Sequence, residues 1–216
     1  MTRELTTDSK TKDNKFSAEM MEIVRIMNSK KYKAIILYLI PENEHPKQEL
    51  TQLLSEMASR GYLVFIAKPS NSGGIETLKE NLILVHQGFC LIPILKSLSA
   101  IILSTQNIHS DWAEVLHHKL LWLYIDMDTP FNTSEDIYNQ ADLISYFSTT
   151  SVIEKFSSNS KGLSLKLGEE NQVNVDLIEK RIKSLPLGWL PYANLNLLGK
   201  VAVMTATFLD FSGEYF

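Results

Sequence analysis

Apolar and polar positions along this chain follow two alternating rhythms. One is a short continuous apolar run bounded by turn residues, the mark of a strand buried on both faces. Such runs occur at Lys33–Ile40, Leu63–Ala67, Leu82–His86, Ala100–Ser104, Leu120–Ile125, Asp142–Phe147 and Leu163–Leu167. The other is helical spacing. Between Lys47 and Arg60 the apolar residues Leu50, Leu53, Leu54, Met57 and Ala58 fall at i, i+3, i+4, i+7 and i+8. That spacing gives one apolar face that can lie on a sheet. Pro41 ends the first run and Gly61 ends the helix, so Lys33 to Pro69 reads as strand, helix, strand. A crossover of this kind is right-handed and makes its two strands parallel neighbours.

The same rhythm continues. Short helices are expected from Pro93 to Leu98, from Asp111 to Leu116 behind Ser110, near Ser134, and from Ser151, where Glu154 completes a capping box. A longer one is expected from Val175 to Ser184, with Val175, Leu177, Ile178 and Ile182 as its apolar positions. Strands alternating with helices predict an α/β fold, a doubly wound and mostly parallel sheet of the Rossmann-like kind. In front of it, residues 1–31 read as a polar tail, expected to be disordered to about residue 15, and a short helix capped by Ser17 with Met20, Ile23, Val24 and Met27 on one face. Residues 32–184 form the domain. Residues 185–216 read as a Pro- and Gly-punctuated connector followed by a fresh first strand at Lys200–Thr205, the start of a further unit without its crossover helix. The expectation is one domain of a longer protein.

Composition narrows the class. In 216 residues, 44% are hydrophobic, enough for a sizeable core. A net charge of -4 argues against a nucleic-acid partner. The single Cys90 excludes an internal disulfide and a paired-cysteine metal site, and reads as a core residue. No run reaches membrane-spanning length and the N-terminal residues lack the apolar core of a signal peptide, so a cytoplasmic location is expected.

Chemistry in such sheets sits beyond the carboxyl ends of the strands, where the strand order reverses. For the order 3-2-1-4-5-6 that point lies between the first and fourth runs, which makes the loops Pro41–Pro46 and Ser104–His109 the ones to consider. Each carries a histidine, His45 and His109, that reads as a base, as a hydroxyl ligand, or as a solvated loop residue. Asp126 and Asp128 follow the fifth run on the same edge and read as sugar-hydroxyl ligands or as turn-forming carboxylates. No third group stands at metal-ligand spacing, and the neighbours His117 and His118 do not share a helix face. The glycines of Pro69–Gly74 match no phosphate loop, and there is no nucleophile elbow. No cofactor, metal or catalytic residue is assigned.

Between Glu42 and Asp176 the chain resembles the N-terminal domain of glycosyltransferases built from two Rossmann-like domains (GT-B), in the broad retaining group 4 class. Gln48, Leu53, Ala58, Gly61, Tyr62 and Val64 follow that class's Q-x-x-x-x-L-x-x-x-x-A-x-x-G-[HY]-x-V spacing approximately. Tyr124 to Asp128 is similar to its Y-x-x-x-D strand end, and Ala141 to Ile144 with the Ser/Thr-rich stretch after Ser148 to its A-D-L-[VI] segment. Asn174, Val175 and Asp176 stand where the class carries N-G-V-D, without the glycine. The resemblance implies the acceptor side of a sugar-transfer cleft, with His45, His109, Asp126 and Asp128 lining it. It implies a glycan or lipid-linked acceptor as partner and contact with a membrane face. A nucleotide sugar would bind only with a donor domain, so the chain alone is expected to be inactive. The alternative is a non-catalytic Rossmann-like binding or interaction domain.

Overall fold

The computed structural model describes residues 7–40, 45–68, 74–86, 94, 97–104, 120–125, 141–146, 162–168 and 171–184. These hold α1 (Thr7–Asn28), β1 (Ile35–Leu39), α2 (Gln48–Ser59), β2 (Leu63–Ala67), β3 (Ile75–Lys79), β4 (Leu82–Val85), β5 (Ala100–Ser104), β6 (Leu120–Ile125), β7 (Leu143–Tyr146), β8 (Leu163–Lys166) and α3 (Asn171–Ser184). The strands form one sheet in the order β3-β4-β2-β1-β5-β6-β7-β8. Every pairing is parallel except β3 with β4. With β3 set aside, the expected runs appear in the order third, second, first, fourth, fifth, sixth, seventh. The sheet therefore reverses direction between β1 and β5.

Alternate residues of each strand feed two separate cores, because successive side chains point to opposite faces. Leu37, Phe65, Val85, Leu103 and Leu123 share one face with Ile23 of α1. Tyr38, Ile66, Ile102, Trp122 and Leu165 share the other with α2 and α3. Helices on both faces explain why the central strands are apolar at every position instead of alternating. Leu50, Leu53, Leu54, Met57 and Ala58 of α2 are all buried, as their spacing predicts. Each buried leucine contributes about 2 kcal/mol of apolar transfer energy. Inside the α2 face, Trp122 Nε1 donates to Ser145 Oγ at 2.8 Å, so the largest buried side chain carries no unmet polar group.

α2 stops where glycine allows it. Gly61 has φ +94, its N–H donates to Ala58 O, and the Tyr62 N–H donates to Met57 O. That pair of bonds is the Schellman closure of a helix end.

Three expectations change. The first helix starts at Thr7 instead of Ser17, so a polar stretch expected to be disordered is helical from that point. A strand not expected from the sequence, β3, pairs antiparallel with β4 through a two-residue turn, and Asn81 adopts φ 65 there. Asn81 Nδ2 also donates to Ala58 O at 3.0 Å, which ties the turn to the end of α2. Finally, α3 starts at Asn171 and buries Asn174, Val175, Ile178 and Ile182, while Leu177 is 38% exposed. The hydrogen bond from Asn174 Nδ2 to Lys166 O compensates the burial of that amide.

The expected helices at 111–116, after Ser134 and after Ser151, the pair His117 and His118, Cys90, and the connector and strand of 185–216 lie outside the described residues. Of the helix expected from Pro93 to Leu98, Ile94, Ser97 and Leu98 are described, and the first two are helical. Among the described residues, no helix is long and apolar enough to cross a membrane.

Candidate functional site

The carboxyl ends of the parallel strands form one edge of the sheet, and the chain brings polar residues to it from several elements. β1 ends at Leu39, and its ladder extends one residue as Ile40 N–H donates to Ala67 O. His45 follows, just ahead of α2. β2 ends at Ala67, so Lys68 is the first residue beyond it. Lys68 Nζ lies 3.2 Å from His45 Nδ1, an exposed contact that brings the His45 ring to the carboxyl end of β2. On the other side of β1, Ser104 closes β5 and is buried, a polar residue at the point where the strand order reverses.

One strand further out, His86 follows β4 as Lys68 follows β2. The Lys68 N–H donates to Val85 O and the His86 N–H to Gly74 O. The in-register pairing of Ala67 with Val85 sets Lys68 and His86 side by side at the ends of neighbouring strands. The Nδ1 of His86 is buried and finds no hydrogen-bond partner among the described residues. A buried ring nitrogen without a partner carries a desolvation cost that a ligand or water can relieve.

α2 opens at the same edge. Lys47 sits in extended conformation before the first turn and offers no side-chain cap. Helix geometry leaves the amides of the first turn without intrahelical acceptors. Glu49 in that turn supplies the acidic side chain of this helix start. The described part of the edge thus offers donors from Lys68 and from the helix start, together with two imidazoles that donate or accept according to tautomer. Such a set recognises oxygen acceptors, either hydroxyl oxygens or anionic ones. Among the described residues, no group of three or more His, Cys, Asp or Glu is placed to hold a metal ion.

The amino edge is built differently. Asp142, before β7, accepts the Leu121 N–H at 3.0 Å through Oδ2 and faces Arg181 of α3 at 3.3 Å through Oδ1. Lys33, before β1, pairs with Glu179 at 3.1 Å and lies over the ring of Tyr62. Burial, helped by the Glu179 carboxylate nearby, pushes the Tyr62 hydroxyl up from 10.0 to about 12. Arg60 joins α2 to α3 through Asp176 and also contacts Glu56. These charges face one another, and their work is to hold α2 and α3 to the sheet.

Of the residues singled out in the sequence, His45 lies at the carboxyl edge, whereas His109, Asp126 and Asp128 lie outside the described residues. Ile125 ends β6 immediately before Asp126. The pair Lys68 and His86 was not anticipated. Its signal is positional: each is the first polar residue after a buried parallel strand. The segment Asn174–Asp176 lies within α3, where Asn174 hydrogen-bonds Lys166 O and Asp176 pairs with Arg60 at the surface.

No family model and no curated protein matches the chain. Among solved structures, a sucrose-phosphate synthase from Thermosynechococcus elongatus is similar at 11% identity and a TM-score of 0.44, over 69% of this chain and 97% of that chain.

Proposed function

We propose that this chain is a glycosyltransferase-like domain of the acceptor-side kind, which holds a hydroxyl-rich glycan or lipid-linked glycan at the carboxyl edge beside β1. The observation that carries the reading is the contact of His45 with Lys68, at the edge where doubly wound sheets receive ligands and one strand from the reversal of strand order. His45 and Lys68 act as binding groups for acceptor oxygens. Asp126, Asp128 and His109 are proposed as further hydroxyl contacts on the same edge. A nucleotide sugar is bound only when a donor-binding domain faces this one.

Calorimetric titration of the chain with soluble oligosaccharides and detergent-solubilised lipid-linked glycans tests this. Weak acceptor binding is expected, reduced about tenfold by His45→Ala or Lys68→Met, a loss of about 1.4 kcal/mol. Micromolar binding of nucleotide sugars with no acceptor binding would overturn it.

A second reading, a non-catalytic binding domain, is favoured by one observation. Asn174 and Asp176, which stand where the resembling class carries its N-G-V-D signature, are engaged with Lys166 O and Arg60 inside a helix. Acceptor binding without sugar transfer, measured with nucleotide sugars and a donor domain supplied, would support that reading.

A further inference from the structure

The contact between Lys68 and His45 constrains more than position. A lysine ammonium has three N–H donors and no acceptor, so the ring nitrogen facing it must be the one without a proton. That nitrogen is Nδ1, at 3.2 Å. A neutral imidazole carries its single proton on the other nitrogen, which the partner of the first decides. We propose that Lys68 is a positioning residue that holds His45 as the neutral Nε2–H tautomer, so that His45 meets a ligand as a hydrogen-bond donor and not as a base. The assignment follows from the donor inventory of the two side chains, as tautomers generally must.

The consequence deepens the acceptor-side reading on which it rests. A general base for an acceptor hydroxyl must present an unprotonated nitrogen to that hydroxyl's proton. In His45 the unprotonated nitrogen is occupied by Lys68, and the remaining Nε2–H can only donate. The chemical class it selects is an oxygen acceptor, such as the lone pairs of a sugar hydroxyl or of an anionic oxygen. Proton removal from the acceptor, where transfer occurs, then falls to a group other than His45.

Two-bond proton–nitrogen correlation spectra of the histidine rings at pH 8 decide the matter without any ligand. The expected result is His45 with Nε2 protonated, Nδ1 unprotonated, and no detectable Nδ1–H form. In Lys68→Met the Nδ1–H form should rise several-fold. Lys68→Gln, whose amide still donates, should keep the wild-type pattern. Wild-type His45 protonated on Nδ1, or a pattern unchanged in Lys68→Met, would overturn the proposal. Should Lys68→Met not fold, the wild-type and Lys68→Gln spectra still decide: an Nδ1–H form in either contradicts it, and its absence from both supports it. Because the spectra are recorded without glycan, a failed tautomer assignment stays distinct from failed acceptor binding.

Discussion

The two edges of the sheet make opposite use of their polar residues. At the amino edge the described charges answer one another: Asp142 with the Leu121 amide and Arg181, Lys33 with Glu179, Arg60 with Asp176. At the carboxyl edge a lysine meets a histidine; among the described residues the neighbouring histidine keeps a buried nitrogen without a partner, as Arg181 also does with Nε at the amino edge. Both edges arise from the same repeating unit, so the difference is not topological. The charges at the amino edge pair mainly with one another, and under the proposed function those at the carboxyl edge meet oxygen acceptors. Substitutions at the first should cost stability, and substitutions at the second should cost binding.

The largest stability effect is expected at Gly162. A Cβ built there would meet Ala141 O at 2.5 Å, and a backbone carbonyl cannot move aside as a flexible side chain does. Gly162→Ala should cost about 3 kcal/mol in urea unfolding, the upper end for overpacking. A cost below about 1 kcal/mol would mean that the β7 and β8 starts are not closely apposed. Asp142→Ala comes next. It leaves the Leu121 N–H without its acceptor and Arg181 without its carboxylate, a loss of about 2 kcal/mol. Asp142→Asn should recover part of this, since an amide oxygen still accepts the Leu121 N–H.

The Tyr62 hydroxyl gives a pH test of the amino edge. Its folded value near 12 lies above its ordinary 10.0. Below pH 10 both states keep the proton, and the stabilisation is present in full. Above it the unfolded chain releases the proton first, so stability falls as pH rises from 10 towards 12. Urea midpoints of wild type and Tyr62→Phe should separate in slope across that window, with the wild type falling more steeply. Parallel slopes would show that the ring is not buried as described. The smallest effects belong to the other edge: His45→Ala and Lys68→Met should each change stability by less than about 0.5 kcal/mol. A larger loss would make their contact a structural one and blur the contrast.

Much of the fold was legible in the sequence, because burial on two faces leaves a continuous apolar record. Leu120–Ile125 and Ala100–Ser104 coincide with β6 and β5, and all five apolar positions of α2 are buried. What escaped lacked that record. β3 exposes Glu76, Thr77, Leu78 and Lys79, so backbone pairing to β4 defines it, and no apolar pattern announces it. The early turns of α1 are polar throughout and read as a tail. In α3, Leu177 has the chemistry of a core position yet is exposed, whereas the polar Asn174 is buried and hydrogen-bonds a carbonyl of β8. The site was half legible for a related reason. Attention to the loops flanking the strand reversal found His45, but Lys68 and His86 are single polar residues after apolar runs. Only the pairing of β2 with β4 brings these two together.

Under the proposed function, a ligand meets this sheet at its carboxyl edge. Backbone and imidazole chemical-shift mapping during titration with an oligosaccharide acceptor tests that directly. The expected result is a set of perturbations at His45, Lys68, His86 and Ser104 that saturates with a single affinity. Perturbations gathered at Lys33, Asp142, Glu179 and Arg181 instead would place the ligand on the amino edge and contradict it.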